Sequence, residues 1–80
     1  MLKVSVISPE AVLFEGEAAS VVAPAFDGEV GILTGHAAMV TTLGTGILRL
    51  GDGKSFKVAG GFLQVADNAV RVVTEKATAT

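Results

Sequence analysis

The chain has 80 residues, half of them hydrophobic, a formal net charge of −2 and no cysteine. That length suits one domain with a marginal core, the missing cysteines exclude disulfides and thiol chemistry, and the slight acidity argues against a strong nucleic-acid footprint. No apolar run approaches the roughly 18 residues that cross a bilayer, and the alternating start Met1-Leu2-Lys3-Val4-Ser5 lacks the long apolar stretch of a secretion signal.

In chain order the residues read as strands throughout. Leu2, Val4 and Val6 alternate with Lys3 and Ser5, the period-two pattern of a half-buried strand. Pro9-Glu10 breaks it, and Val12-Leu13-Phe14 opens a second short strand. Gly16 and the stretch Ala18–Ala23 predict a third, stopped at Pro24. Later, Leu48 and Leu50 flank Arg49, Phe56 and Val58 flank Lys57, and Val70 and Val72 flank Arg71. Turn signals at Gly51-Asp52-Gly53, Gly60-Gly61 and Asp67-Asn68 each fall between two such runs. No segment of adequate length carries a helical apolar stripe. Short strands at this spacing predict an all-β antiparallel sandwich or flattened barrel, a single domain over residues 1–80 with no repeat or linker. A small apolar domain without covalent staples also points to surface buried on another protein.

Charge is unevenly placed. Residues 1–48 hold five acids (Glu10, Glu15, Glu17, Asp27, Glu29) against Lys3 alone, and the basic residues Arg49, Lys54, Lys57, Arg71 and Lys76 follow. Solvated strand faces account for this without a designed dipole. The chemically richest stretch is Gly28-Glu29-Val30-Gly31-Ile32-Leu33-Thr34-Gly35-His36-Ala37, which gathers three glycines, an acid and the only histidine. It is either a shaped loop that a partner docks on or a turn with incidental charges.

Catalytic readings fare poorly. A nucleophilic site needs a nucleophile, a base and an orienting group, and no motif joins His36 to Asp27. One histidine among scattered carboxylates has no metal-ligand spacing. Glu15 and Glu17 flank Gly16 on one strand face, where paired acids are usually just solvated. Gly53-Lys54-Ser55 resembles the end of a phosphate-binding loop, but Leu48 stands where the first glycine belongs and a strand follows instead of a helix. The same hairpin would put Lys54 at a tip, as in small carrier domains that bear biotin or lipoyl on a lysine. Lys54 lies between Gly53 and Ser55, outside the usual sequence context of those carriers, so that reading stays an alternative.

The Gly28–Ala37 run resembles the signature of the epsilon subunit of F-type ATP synthases, a Gly-Glu-Leu-Gly-Ile element followed by Gly-His-Ala and a hydrophobic strand. This chain reads Gly28-Glu29-Val30-Gly31-Ile32, then Gly35-His36-Ala37 and Met39-Val40-Thr41. Val6-Ile7-Ser8-Pro9-Glu10, Val12-Leu13-Phe14-Glu15-Gly16-Glu17 and Gly60-Gly61-Phe62-Leu63-Gln64-Val65 with Asp67-Asn68 agree in order. Thr34 and Ala38 occupy places where the family commonly has proline, a departure that leaves the loop less preorganised.

The resemblance implies a fold, a role and partners. The fold is a ten-stranded antiparallel β-sandwich of two five-stranded sheets. The role is that of a non-catalytic central-stalk subunit that links the gamma subunit to the ring of c subunits and supports coupling of ion translocation to ATP synthesis. No catalytic residue, metal ligand or cofactor is implied, and nucleic acid is not a partner. Membrane association would be indirect, through the complex, on the cytoplasmic face of an energy-transducing membrane such as the bacterial inner membrane. Gly28, Glu29, Val30, Gly31, Leu33 and Thr34 correspond to the segment facing the c ring, with Glu29 suited to a basic loop there. Ser8, His36, Ala37, Met39 and Thr41 correspond to the segment against gamma. Most members continue into a two-helix hairpin that can block hydrolysis or bind ATP. A chain ending at Ala77-Thr78-Ala79-Thr80 is expected to do neither.

The stalk and carrier readings differ in covalent state. Intact mass spectrometry of the chain from its native cell is expected to give the unmodified mass, and a mass increment located to Lys54 would instead establish the carrier.

Overall fold

The computed structural model describes residues 1–51 and 53–80; Asp52, the centre of the expected Gly51-Asp52-Gly53 turn, lies outside the described residues. Among the described residues eight strands follow one another: β1 (Leu2–Ile7), β2 (Val12–Ala18), β3 (Ser20–Ala25), β4 (Gly28–Leu33), β5 (Met39–Thr42), β6 (Thr45–Leu50), β7 (Ser55–Ala66) and β8 (Ala69–Ala79). They hydrogen-bond in the order β2-β1-β8-β7-β6-β3-β4, with β5 also paired to β7. The all-β class stands.

The β7–β8 hairpin organises this order. Asp67 and Asn68, both at positive φ (50° and 62°), form its two-residue turn between the paired Ala66 and Ala69. Two left-handed residues give a hairpin turn whose twist matches that of the flanking strands. From there the ladder runs without a register break to Phe56↔Ala79. Its outer partners change on the way. Ser55–Ala59 pair with β6, whereas Phe62–Val65 pair with β5. On the far side, β8 pairs with β1 through Ala69–Val73 only.

The side chains that face the core change parity at the same place. Phe56 and Val58 are buried before Gly60-Gly61, and Leu63 and Val65 after it. In β8, Val70, Val72 and Thr74 are buried, while Ala77 packs inward further on. Strand side chains alternate strictly, so an even-to-odd switch within a ladder of constant register means that the ribbon itself turns over. Gly60 and Gly61 allow this at φ 74° and 109°, values that side-chain-bearing residues rarely adopt. The backbones also touch here. A Cβ on Gly61 would lie 2.0 Å from the Val73 carbonyl oxygen. Thr74, a buried polar side chain, braces the bend, its hydroxyl 3.0 Å from the Gly60 carbonyl oxygen and 2.8 Å from that of Lys76.

Four expectations are corrected. First, Gly60-Gly61 is not a turn between strands but a bend inside β7. Second, where ten strands in two five-stranded sheets were expected, the described residues form eight strands in one hydrogen-bonded sheet, because β7 and β8 stay continuous through that bend. Third, the pairing is not purely antiparallel. The N-terminal β1 inserts beside the C-terminal β8 and runs parallel to it, from Lys3↔Ala69 to Ile7↔Val73. Fourth, Pro24 does not stop its strand, since β3 continues to Ala25 and Pro24 pairs opposite Glu29. The ladder from β3 to β6 involves Val21 and Val22, and beyond it the Pro24 carbonyl accepts from the Gly44 amide at 2.8 Å. Gly46 leaves room for the ring, since a Cβ there would sit 3.1 Å from the Pro24 Cβ. A proline is tolerated where no ladder donor is required of it.

One apolar cluster fills the interior. It draws Leu2, Val4 and Val6 from β1, Ile32 from β4, Leu48 from β6 and Leu63 from β7, with Phe14, Val30 and Met39 packed against it. No buried side-chain nitrogen or oxygen among the described residues lacks a partner.

Replacing Gly61 with alanine combines positive-φ strain with a backbone clash and is expected to cost about 3 kcal/mol. For a domain of this size that corresponds to a fall in Tm of roughly 12–24 °C, read by thermal denaturation of the variant against wild type.

Candidate docking surface

The strand β4 is the last in the hydrogen-bonded order, with β3 on one side. Alternation splits its residues. Ile32 is buried and Val30 packs against the core, while Gly28, Glu29, Gly31 and Leu33 are exposed. Val30 therefore sits inward rather than on the surface expected to meet a partner. Leu33, 65% exposed, does present an apolar side chain to solvent. The turn that opens β4 carries Phe26, 74% exposed. Sequence reading passed over Phe26, because a lone aromatic before Asp27-Gly28 looks like the end of the preceding apolar run.

Glu29 already has a partner. Its carboxylate oxygen lies 3.4 Å from a guanidinium nitrogen of Arg49, reaching diagonally across β3 from the position opposite Pro24 to that opposite Val22. Both side chains are more than half exposed. The pair joins residues 20 apart in sequence, and no local pattern announces it.

After β4 the chain enters the segment Thr34–Ala38. Gly35, at φ 88°, turns the chain, and the His36 amide donates to the Leu33 carbonyl oxygen at 3.1 Å. The Gly35 amide donates to the Asn68 Oδ1 at 2.7 Å. The His36 ring is half-buried, and its Nδ1 lies 2.7 Å from the Ala37 carbonyl oxygen. A carbonyl only accepts, so Nδ1 carries the proton and Nε2 is the remaining polar position of the ring. Thr34, Ala37 and Ala38 are exposed.

The residues assigned by resemblance to the gamma side do not form one cluster. Met39 packs against the core and Thr41 is half-buried. Ser8 forms a tight turn with Ala11, its amide donating to the Ala11 carbonyl oxygen at 2.9 Å. It follows β1, separated from β5 by β7 and β8, about 14 Å across at ordinary strand spacing.

What spans that gap is a row that sequence reading missed. Thr42 stands opposite Phe62, Phe62 opposite Val73, Val73 opposite Ile7, and Ile7 opposite Val12. Directly paired residues share a face, and a register shift between Val6 and Ile7 brings Val12 into the row. Phe62 (43%) and Val12 (58%) are exposed, and Ile7 and Val73 between them are half-buried. Val40, 69% exposed, stands in the next row opposite Gln64. The signal for Phe62 was outward parity, since it stands beside inward-facing Leu63, and a large apolar group there is unusual. Val12 gave no such signal, because it shares the parity of core-packed Phe14 and Ala18, and only the register shift between Val6 and Ile7 brings it opposite Ile7.

The alternative sites are ordinary surface. Glu15 and Glu17 are exposed on β2 opposite Ser5 and Lys3. Lys54 is exposed in the connection from β6 to β7, where its carbonyl oxygen accepts from the Leu50 amide at 2.9 Å. No cluster of three metal-ligating side chains occurs among the described residues. No helix among them is long and apolar enough to cross a membrane.

Fold and surface together define an all-β domain with a closed core and large apolar groups turned outward. The family model for the ATP synthase, Delta/Epsilon chain, beta-sandwich domain matches residues 1–80, and the chain belongs to that family. It is similar to the ATP synthase epsilon chain of Leptospira interrogans, 47% identical over 77 residues, covering 92% of this chain and 61% of that one. The ATP synthase epsilon chain of Syntrophomonas wolfei is 41% identical over 76 residues, covering 90% of this chain and 56% of the relative. The chain thus spans less than two thirds of the length of these relatives. Among solved structures, a chain of the Euglena gracilis mitochondrial ATP synthase, from an assembly of OSCP, F1 and c-ring, superposes with a TM-score of 0.89 at 26% identity, over 98% of this chain and 52% of that chain. A chain from the Tetrahymena thermophila mitochondrial ATP synthase central stalk and c-ring shares the fold, with a TM-score of 0.78 at 19% identity.

The Glu29–Arg49 pair, being exposed, is expected to couple by only about 0.2–0.5 kcal/mol. A double-mutant cycle with Glu29→Gln and Arg49→Gln, followed by urea denaturation, measures it, and the coupling should fade in 1 M salt as the charges are screened.

Proposed function

We propose that this chain is the β-sandwich portion of an epsilon-type central-stalk subunit of an F-type ATP synthase. It docks between the gamma subunit and the c ring and supports coupling of ion translocation to ATP synthesis. Its role is non-catalytic and mechanical, that of a spacer on the rotor. The observation that carries the reading is the apolar row Val12, Ile7, Val73 and Phe62, exposed at its two ends and half-buried between them, in a domain of this family. Apolar side chains of this size in one row on a small domain mark a protein-binding face.

Two surfaces divide the work. The exposed side of β4, with Gly28, Glu29, Gly31, Leu33 and the adjoining Thr34, is the c-ring side, and Phe26 extends it. Glu29 meets a basic loop there by exchanging Arg49 for the partner, a rim contact that sets register more than affinity. The gamma side is the outer face that carries Phe62 and Val12, bounded by Ser8 at one margin and at the other by β5, the strand that carries Thr41 and Met39. His36 and Ala37 join it at the end nearer Asn68. The named relatives support the partners, since one superposing chain comes from an assembly that includes F1 and the c-ring.

The expected two-layer architecture fits the same reading. If β7 and β8 are each counted twice at the Gly60-Gly61 bend, β5, β7, β8, β1 and β2 make one five-strand set. The remaining halves of β8 and β7 with β6, β3 and β4 make the other. The domain extends over residues 1–80 and attaches to the membrane only through its partners, on the cytoplasmic face of a bacterial inner membrane, as the Leptospira and Syntrophomonas relatives suggest.

Affinity purification of the tagged chain from detergent-solubilised membranes is expected to recover gamma and c subunits, and Phe62→Ser should reduce that recovery while leaving Tm nearly unchanged. A clean monomer from the wild-type chain would overturn the reading.

A further inference from the structure

The segment Thr34–Ala38 has no strand pairing, yet it lies between exposed Leu33 and core-packed Met39. Two of its hydrogen bonds are local, from the His36 amide to Leu33 and from the His36 ring to Ala37. The bond from the Gly35 amide to the Asn68 side chain spans 33 residues and ties the segment to the rest of the fold.

Asn68 is well placed to act as a post. Its backbone occupies the second left-handed position of the β7–β8 turn, and its carbonyl oxygen accepts from the Lys3 amide at 2.8 Å. The turn and β1 therefore fix its Cα, and the carboxamide projects from a paired element to a segment without strand pairing. The turn itself does not require that carboxamide. Glycine satisfies two left-handed positions as well, and aspartate does so nearly as well. Asparagine and aspartate add what glycine cannot, an acceptor for the Gly35 amide. At 2.7 Å this bond is at the short end of the ordinary range.

We propose that Asn68 is a positioning residue for the docking surface. Its Oδ1 holds Gly35 in place, and with it the direction of Leu33, Thr34 and His36 as they meet the rotor partners. The docking part rests on the function proposed above; the hold on Gly35 does not.

The test compares the wild-type chain with Asn68→Gly and Asn68→Asp by amide hydrogen exchange and by binding to detergent-solubilised rotor containing gamma and the c ring. Asn68→Gly keeps the turn and loses the acceptor. Its Gly35 amide is expected to exchange about tenfold faster, while the Lys3 amide, bonded to the backbone of residue 68, is unchanged. Affinity for the rotor should fall about three- to tenfold, as expected when a docking segment must be ordered on binding. Asn68→Asp should restore both. Equal Gly35 exchange in all three chains overturns the proposal, and so does parallel acceleration at Lys3, which would mean that only the turn had failed. Altered Gly35 exchange with unaltered affinity overturns the docking role. Failure of the wild-type chain to bind the rotor at all overturns the functional reading, and exchange alone then decides the hold.

Discussion

The contact between Gly61 and the backbone of Val73 and Thr74 is the constraint on which the architecture turns. At that point the two longest strands approach so closely that a single carbon atom on residue 61 would collide with the neighbouring chain. The close approach lets one ribbon turn over while keeping its register, so that opposite faces of the same hairpin serve the core on either side. Every other strand takes its place from this hairpin. The β5 and β1 strands attach beyond the bend, β6 attaches before it, and β3 and β4 follow from β6. Thr74 completes the arrangement by occupying the interior of the bend with a hydroxyl that has carbonyl oxygens to meet. A buried polar group of that kind costs little when bonded and much when not.

Turning the hairpin over also determines what faces outward. Because the register is kept across the bend, the parity that puts Leu63 and Val65 inside puts Phe62 and Gln64 outside, opposite Val73 and Arg71. The Phe62 and Val73 part of the apolar row is therefore a product of the same bend that closes the core, and the register shift before Ile7 adds Val12. The other surface has a different origin. The β4 strand is exposed because it ends the hydrogen-bonded order, and its charge partner Arg49 comes from a strand beyond its neighbour. The loop that follows is joined by Asn68 to the tip of the central hairpin. Both candidate surfaces are thus anchored to one element.

Much of this was legible in the amino-acid order. Leu2, Val4 and Val6 announced a half-buried strand and form one, with all three buried. Asp67-Asn68 announced a hairpin turn and supplies two left-handed residues for it. Gly60-Gly61 announced a break and was read as a turn, because adjacent glycines signal a change of direction without stating whether the strand stops. Pro24 was read as a stop for a similar reason. Proline removes a donor, and only the ladder shows whether that donor was needed.

Local rules act between neighbours, and on that scale the sequence alone determined the all-β class, the period-two faces, the β7–β8 turn and the family to which the chain belongs. Contacts between residues distant in the chain obey no local pattern, and those were decided by the tertiary structure. It paired β1 parallel to β8, gave Glu29 to Arg49, set Asn68 beneath Gly35, and lined up Val12, Ile7, Val73 and Phe62 from three separate stretches of sequence. Alternation tells which side of a strand a residue occupies. Which strands lie side by side is fixed by packing the whole core at once.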